Sequence, residues 1–353
     1  MSFDFYEVMK EKQESKEQGY TYQEVWDSIL SKQFKDKVVV CDADALVYRI
    51  SASSDERSIK VTKNSKSRTY GTRTEFKALC KEKEWDYNSF DIEDVITSED
   101  VSYCLGTLKR AIKNIKERLA TDNVIFLLGN TGNFRLSLPL PIQYKSGRVD
   151  MIRPAHLNAC REYLVKYHGA YLINGVESDD VVMGLTQHFN NNTDVKAIAW
   201  NLDKDFTQSL LPNQYYHPVE DVIYDLNGGV GELFEKGNSI KGSGLKFLIQ
   251  QNMLFDKVDS YSMNSHYLKR YGEKSFYKDF KDLKTEKDVL SKAVEKWKQL
   301  LPEVIEFDDY TGVKRTHNWL SLAELYFKCC YMRCSPTDDL KLEDLLQEYG
   351  VEY

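Results

Sequence analysis

The sequence predicts an α/β fold in which a parallel sheet is flanked by helices and followed by a mainly helical region. Three short apolar runs predict buried strands at 38–41, 124–128 and 195–200. Helical spacing of apolar residues between these runs favours right-handed crossovers, which place the strands parallel in one sheet. Beyond about residue 237 the pattern is mainly helical.

The helices are predicted from apolar residues that recur every three or four positions. A helix over 102–119 carries Lys109, Arg110, Lys113, Lys116 and Arg118 on its other positions, which taken alone indicate a solvated basic face. A short strand is expected over 170–173. The remaining predicted helices cover 155–167, a segment after Asp180, 240–254, 266–280, 285–300 and 319–332.

The chain is therefore predicted to contain two regions. Residues 1–236 form the α/β core, with a polar, charge-mixed inserted segment at about 55–100. Residues 237–353 form the helical region, which ends in a C-terminal extension. A length of 353 residues is sufficient for this organisation.

Composition excludes several classes of protein. The chain is 42% hydrophobic and 29% charged, which is typical of a folded globular protein. Its 7 cysteines include no C-x-x-C pair, so neither a disulfide framework nor a zinc ribbon is indicated. We expect a soluble cytoplasmic protein that does not enter a membrane, because no apolar stretch is long enough to cross one. The formal net charge of −7, taken alone, argues mildly against DNA binding.

Acidic residues are grouped in four places. Taken singly, each group has an ordinary explanation, since acids commonly occupy helix starts. Taken together, three of the groups follow buried runs or precede a helix at the same predicted edge of the sheet, where ligand sites of α/β proteins lie. The groups are Asp42 with Asp44, Glu177 with Asp179 and Asp180, Asp203 with Asp205, and Asp256 with Asp259.

Carboxylates crowded at one edge repel one another unless cations neutralise them. No His or Cys stands at ligand spacing, so the oxygen donors favour Mg²⁺ or Mn²⁺ over Zn²⁺. Two such ions, typically about 3.5–4 Å apart, can activate water and stabilise the leaving oxygen of a phosphodiester. Hydrolysis of nucleic acid is therefore the first hypothesis.

The sequence also resembles a known family, the flap-endonuclease-like 5′ nucleases of the PIN-like superfamily, and among them the bacteriophage 5′–3′ exonucleases. The matching motifs occur in the family's order and span roughly residues 38–280. They are Val39 to Asp44, Asn133-Phe134-Arg135, Tyr144 to Arg148, Val176 to Asp180, Leu202 to Asp205, and Asp256 to Asp259.

The resemblance implies a two-metal site of two Mg²⁺ or Mn²⁺ ions, with the sheet in a PIN-like arrangement. It assigns Asp42, Glu177, Asp179 and Asp180 to the first ion, with Asp44 as a less certain member. It assigns Asp203, Asp205, Asp256 and Asp259 to the second ion. Lys145 and Arg148 are implied to offset charge on the scissile phosphate, and Asp42 and Asp179 to act with them in catalysis.

The resemblance further implies contacts with the DNA substrate. Tyr144 would stack on an unpaired terminal base, and Arg135 is a second implied substrate contact. A helix–turn–helix-like element that binds duplex DNA, with a K⁺ nearby, is implied after Asp259. In that region Lys269, Arg270 and Lys274 could contact phosphates, or could form a plain soluble face.

Two departures from the family pattern stand out. The second strand ends in Leu128-Gly129-Asn130, where the family has an Asp, so that ligand is lost or is replaced by the neutral Asn130. The loop after Asp259 lacks most of the family's glycines, and only Gly272 remains before Glu273. The segment 146–168 lies where the family has an arch, which must be small here.

The expected function is thus a metal-dependent 5′–3′ exonuclease or flap endonuclease that acts on DNA with a 5′ end or flap. Such an activity fits primer removal in replication or DNA degradation by a bacteriophage. Two alternatives remain: a ribonuclease of the same superfamily that acts on RNA–DNA hybrids, and a non-catalytic binder of branched DNA. A phospho-accepting receiver is remote, because the length and the Asp256 pair do not suit it.

Overall fold

The computed structural model describes residues 19–148, 151–237 and 239–353. These residues fall into two compact units. The first is built from the described parts of Met1–Ala43, Leu119–Met151 and Gly169–Tyr353. The second comprises Asp44–Arg118 and Ile152–His168. The boundary expected near residue 237 lies within the first unit and stays a prediction.

Between residues 101 and 200 helices and strands alternate, as expected, and four consecutive strands follow at 213–217, 222–226, 233–236 and 239–242. In chain order the strands are β1 (Tyr20–Thr21), β2 (Lys37–Asp42), β3 (Asp55–Lys63), β4 (Lys66–Tyr70), β5 (Asp91–Ser98), β6 (Val124–Gly129), β7 (Tyr171–Asn174), β8 (Lys196–Trp200), β9 (Asn213–His217), β10 (Val222–Leu226), β11 (Leu233–Lys236), β12 (Ser239–Gly242), β13 (Phe255–Asp256), β14 (Tyr261–Ser262), β15 (Ile305–Asp308) and β16 (Lys314–His317).

Each predicted helical segment contains one of the described α-helices, but the helices at 43–53, 73–82 and 342–348 lie outside the predicted segments. In chain order the described α-helices are α1 (Tyr22–Leu30), α2 (Ala43–Ser53), α3 (Arg73–Glu82), α4 (Val101–Leu119), α5 (Leu157–His168), α6 (Ser178–Asn192), α7 (Gly244–Met253), α8 (Glu273–Phe280), α9 (Glu286–Leu300), α10 (Trp319–Cys330) and α11 (Leu342–Glu348). The helix expected over 266–280 begins only at Glu273, after a 3-10 turn at Met263–His266.

The centre of the first unit is a seven-stranded sheet in the order β1-β7-β6-β2-β8-β9-β10. All neighbours are parallel except the β9–β10 hairpin at one edge. In β2 the side chains from Val38 to Cys41 are fully buried, which explains their apolar, β-branched character. The predicted fold class, a mainly parallel sheet flanked by helices and followed by a mainly helical region, is confirmed.

Two apolar cores stabilise this unit. One joins the sheet to α1 and α6 through residues such as Val25, Val40 and Leu185. The other packs the C-terminal helices around Trp297, Phe276 and Tyr326. The helical region therefore owes its order to its own large aromatic core.

The second unit contains the segment predicted as an insertion. It forms an antiparallel sheet in the order β4-β3-β5, covered by α3. A small core of Ile59, Val61, Phe76 and Cys80 joins the sheet to the helix. The same unit contains α5 and all of α4 except Leu119.

Several hairpins were missed by the sequence reasoning. The β9–β10 pair is signalled only by aromatic and β-branched residues on either side of Pro218 and Asp221. The pairs β11–β12 and β15–β16 have strands of four residues each, too short for a clear alternation of apolar and polar positions. Among the described residues, no helix combines the length and the apolar character that crossing a bilayer requires.

Two helical glycines provide a matched test of the packing. A Cβ at Gly184 in α6 would overlap the Tyr22 hydroxyl and the Cys334 carbonyl, whereas a Cβ at Gly106 in α4 meets nothing within 4 Å. We expect Gly184→Ala to lower the free energy of unfolding by roughly 1–3 kcal/mol through overpacking. Gly106→Ala should raise it by up to about 1 kcal/mol, because alanine favours helix.

Urea denaturation followed by circular dichroism measures both changes. Equal effects of the two substitutions would contradict the close approach of α1 and the Cys334 backbone to α6.

Candidate functional site

Acidic side chains from separate parts of the chain meet at the C-terminal edge of the parallel sheet. Asp42 is the last residue of β2, and Asp203 and Asp205 follow the neighbouring strand β8. Glu177 and Asp179 lie at the start of α6, which follows β7. The parallel topology brings these groups together, because every parallel strand ends at the same edge.

Asp179 is surrounded by like charge. Burial raises the pKa of its carboxyl well above the ordinary value, and three neighbouring carboxylates raise it further: Asp42, Asp203 and Glu177. The Asn201 side-chain amide donates a hydrogen bond to Asp179 Oδ1 at 3.3 Å. These four carboxylates form what we call the first acidic group.

Asp205 occupies a similar position in a second acidic group. Burial raises its pKa well above the ordinary value, and the carboxylates of Asp203, Asp256 and Asp259 add to the effect. Its Oδ1 is buried and accepts no hydrogen bond. An unpartnered buried carboxylate oxygen is a group that a bound ion or water ordinarily satisfies.

Two cations of the Tyr144–Arg148 motif lie against the acids. Lys145 Nζ pairs with Glu177 Oε1 and lies 3.9 Å from Asp259 Oδ1. Burial lowers the pKa of Lys145, but these two carboxylates raise it by more, so it stands above the ordinary value. Arg148 Nη2 donates to Asp259 Oδ1 at 2.8 Å and is half exposed.

The backbone holds Lys145 in an unusual conformation. Its φ of 58° is left-handed, which is uncommon for a side chain of this size. Its N–H donates to the Asp259 carbonyl at 2.8 Å, which ties the motif to the loop after β13. Such strain persists where the surrounding structure fixes it, often at functional sites.

Lys204 is a cation of the site that the sequence reasoning quoted only as part of a motif. Its Nζ lies 3.1 Å from Asp256 Oδ2 and 3.7 Å from Asp205 Oδ1. Asp256 also accepts the backbone N–H groups of Val258 and Asp259. The pKa of Asp256 is raised by burial but lowered by more through Lys204 and these donors. The position of Lys204 between Asp203 and Asp205 was the signal in the sequence that could have identified it.

These acids suit divalent cations in chemistry and charge. All the donors are carboxylate oxygens, which Mg²⁺ and Mn²⁺ prefer. As placed, however, no three carboxylate, imidazole or thiol groups in the described parts of the chain lie close enough to hold one ion together. The ion pairs with Lys145, Arg148 and Lys204 direct several of the oxygens towards the chain's own cations.

Asp180 does not share the open environment of Asp179. Its side chain is fully buried, and Arg135 binds both of its oxygens, at 2.7 and 2.8 Å. The backbone N–H groups of Glu177 and Arg333 donate to the same oxygens. With four donors the carboxylate has no oxygen lone pair left for a metal ion, so the prediction of Asp180 as a metal ligand is corrected to a role in positioning α6.

The prediction that Arg135 contacts the substrate is also corrected. Its side chain is 2% exposed, so it is not available to a DNA strand. Besides Asp180, its guanidinium donates to the Tyr331 carbonyl at 2.6 Å. The guanidinium groups of Arg135 and Arg333 both lie over the Phe134 ring, at 4.7 and 4.2 Å from its centre. The family motif thus contains a structural arginine in this chain.

Tyr144 is also buried, at 2% exposure, so its ring cannot stack on a base in this conformation. Its hydroxyl donates to Asp259 Oδ2 at 2.7 Å, and its ring stacks on Tyr261. The predicted base contact is corrected to a role in orienting the Asp259 carboxylate.

The remaining candidates lie outside the two acidic groups. Asp44 begins α2 in the second unit and pairs there with Arg161. Asn130, which replaces the family's Asp, donates to Asn174 Oδ1 at 2.9 Å. The predicted phosphate contacts Lys269, Arg270 and Lys274 are all exposed.

The region expected to form a helix–turn–helix-like element has a long connection between its two helices and not a tight turn. The 19 residues 254–272 separate α7 from α8, and they contain the β13–β14 pair and a 3-10 turn. Lys269 and Arg270 lie in irregular backbone and Lys274 lies in the first turn of α8. Their contact with DNA stays a prediction.

Neutralising the adjacent acids Asp179 and Asp180 of α6 should have different effects on the free energy of unfolding. Asp180→Asn should lower the free energy of unfolding by about 3–5 kcal/mol, because it removes the carboxylate that binds the buried Arg135 through both oxygens and leaves only Glu177 Oε2, 3.7 Å away, as counter-charge. Asp179→Asn should not lower it in metal-free buffer, because it removes one charge from a group of like charges. Urea denaturation in EDTA measures both. Equal losses would contradict the division of roles between the two residues.

No family model matches this chain, and no curated protein matches it. Solved structures of bacteriophage T5 proteins align along most of its length. A mutant of the T5 5′-exonuclease shares 12% identity, with 90% of this chain and 98% of that chain covered and a TM-score of 0.44. The T5 flap endonuclease in a pseudo-enzyme–product complex with DNA and metal ions shares 13% identity over 89% and 98%, at 0.45.

A T5 protein co-crystallised with metal ions shares 14% identity, with 89% of this chain and 96% of that chain covered, at a TM-score of 0.43. We base the functional proposal on this chain's own carboxylates and cations.

Proposed function

We propose that this chain is a divalent-metal-dependent phosphodiesterase that hydrolyses DNA from 5′ ends, as a 5′–3′ exonuclease or flap endonuclease. One observation carries the proposal. Carboxylates from four separate segments of the chain converge at one sheet edge and raise the pKa of Asp179 and Asp205. Such convergence is unfavourable for the fold and therefore points to a function.

The two acidic groups suit two cations. Asp42, Glu177 and Asp179 would hold the first ion, and Asp205, Asp256 and Asp259 the second. Asp203, which faces both groups, would serve either. When bound, Mg²⁺ or Mn²⁺ supplies the positive charge that activates water and stabilises the leaving oxygen of a phosphodiester.

The chain's own cations would bind the scissile phosphate. Lys145 and Arg148 are held beside the acids by Glu177 and Asp259. Once cations neutralise those carboxylates, the ammonium and guanidinium groups are free to donate to phosphate oxygens. Arg148 suits a bidentate contact, whereas Lys145 acts as a point charge at a fixed backbone position.

The DNA beyond the cleaved bond would be bound by phosphate contacts at the start of α8. Lys269, Arg270 and Lys274 are exposed there and separated by only a few residues. Phosphate contacts of this kind fix the position of the DNA without reading its sequence. We also propose that a K⁺ binds at the loop before α8.

A non-catalytic role in binding branched DNA is favoured by one observation. Asn130 is neutral and bonded to Asn174, where the family supplies a further carboxylate. The first acidic group is therefore one charge poorer than the family pattern, which would weaken its hold on a cation.

The decisive test is cleavage of 5′-labelled flap and duplex DNA with Mg²⁺ or Mn²⁺. The wild-type chain should cleave, and EDTA should abolish cleavage. The double variant Asp179→Asn/Asp205→Asn should lose more than about a hundredfold in rate, because each acidic group loses a ligand. Asp194→Asn, an exposed acid at the end of α6, is the matched control and should cleave normally.

The products distinguish the alternatives. Release of mononucleotides identifies an exonuclease, and a cut at the branch point identifies a flap endonuclease. Cleavage confined to the RNA strand of a hybrid would replace DNA with RNA as the substrate. Retained cleavage by the double variant would reject the carboxylates as the catalytic groups, and tight flap binding without any cleavage would favour the non-catalytic role.

A further inference from the structure

The second unit carries a strongly basic surface that the proposed active site does not use. Helix α4 contains five basic residues and a single acid, Glu117, in a chain whose net charge is −7. Helix α5 adds Arg161 and Lys166 against Glu162. Positive charge is thus concentrated on this pair of helices, which an anionic partner would recognise.

Three lysines of α4 lie along one face. Lys109 and Lys113 are exposed and four residues apart, and the half-buried Lys116 follows three residues later, which places them on neighbouring turns of one side. At a rise of about 1.5 Å per residue the row is about 10 Å long. That length is enough for the row to contact more than one phosphate of a nucleic acid strand.

Aromatic rings of α5 lie beside this row. Lys109 Nζ lies 5.5 Å from the ring centre of Tyr163, and Lys166 Nζ lies 5.2 Å from that of Tyr167. The two rings are 4.9 Å apart. Contacts between α4 and α5 are fixed underneath by Cys104 and Cys160, whose sulfur atoms are buried and 3.5 Å apart.

Tyr167 is the most informative member of the surface. Its side chain is 61% exposed, although a ring of this size gains by burial. A solvated basic face explains the lysines but gives no reason for an exposed aromatic ring among them. Proteins that bind single strands combine these two features, a track of cations for the backbone and aromatic rings on which bases stack.

We propose that the α4–α5 surface, formed by Lys109, Lys113, Lys166, Tyr163 and Tyr167, binds single-stranded DNA. The lysines contact successive phosphates and Tyr167 stacks on a base. The inference goes beyond the proposed nuclease function and does not rest on it, because none of these residues belongs to the acidic groups.

The test is fluorescence anisotropy of the full-length chain with a short oligothymidylate labelled at its 3′ end, in EDTA. Without metal ions the acidic groups repel DNA. Binding then comes from the exposed cations, and the loss caused by each substitution on the α4–α5 surface measures the share of that surface, apart from Lys269, Arg270 and Lys274. Lys109→Ala/Lys113→Ala should weaken binding at least about tenfold and reduce the slope of log K against log salt by about 1.4. Tyr167→Ala should weaken it at least about fivefold.

The double variant Lys81→Ala/Lys83→Ala on the exposed side of α3 removes the same charge from the same unit and is the control. A loss of binding equal to that of Lys109→Ala/Lys113→Ala would show a net-charge effect and overturn the proposed site. Unchanged single-strand binding by Tyr167→Ala would overturn the stacking contact. A matched duplex should be insensitive to Tyr167→Ala, and equal sensitivity would contradict single-strand selectivity.

The assay requires no cleavage. Absence of nuclease activity with intact oligothymidylate binding would leave this surface standing while it removes the proposed function. Nuclease activity without oligothymidylate binding would remove this surface and leave the proposed function standing. Thermal unfolding of each variant verifies that it is folded.

Discussion

The buried ion pair of Arg135 and Asp180 is the interaction on which the acidic edge depends. Removing two charges from water is costly, and the cost is offset only when every polar atom around them is bonded well. Here the pair is completed by the Glu177 and Arg333 backbone N–H groups and by the Tyr331 carbonyl. The start of α6 is thereby fixed to the segment after α10.

That constraint determines where the first acidic group lies. Glu177 and Asp179 both lie within the three residues before Asp180, so a rigid Asp180 fixes the direction of both. Adjacent acids of one helix start thus serve opposite purposes, since Asp180 is neutralised by its surroundings and Asp179 is left among like charges. The stability gained at one residue allows the other to remain in an unfavourable environment.

Much of the fold could be predicted from the sequence because its signals are local. The run Val38 to Cys41 is apolar because β2 is buried on both faces, and its position before Asp42 placed the acid correctly at the sheet edge. The environments of Arg135 and Tyr144 could not be predicted, because burial depends on segments distant in sequence. Arg135 is enclosed by residues near Tyr331, and Tyr144 by the loop at Asp259.

The site was likewise only partly predictable. Motif spacing identified the acids and Lys145, but it gave no information on which carboxylates are already paired. Lys204 illustrates the limit, since its contacts with Asp205 and Asp256 appear only when the loop after β8 meets β13. The hairpins at the sheet edge and in the helical region escaped detection, because strands of four or five residues give little periodicity.

Acidic and basic residues are concentrated in different parts of this molecule, so the net charge does not describe the field that a partner meets at either place. A total of −7 suggests a protein that avoids polyanions. Yet acids are concentrated at a sheet edge where they repel one another, and bases are concentrated on α4 and α5. Because screening limits each charge to a reach of about 8–10 Å, an anionic chain meets these local fields and not their sum. In the proposed function the acidic edge accepts phosphate only after cations bind, whereas the single-strand surface proposed on the basic helices needs no cation. Metal ions would therefore control one surface and leave the other unchanged.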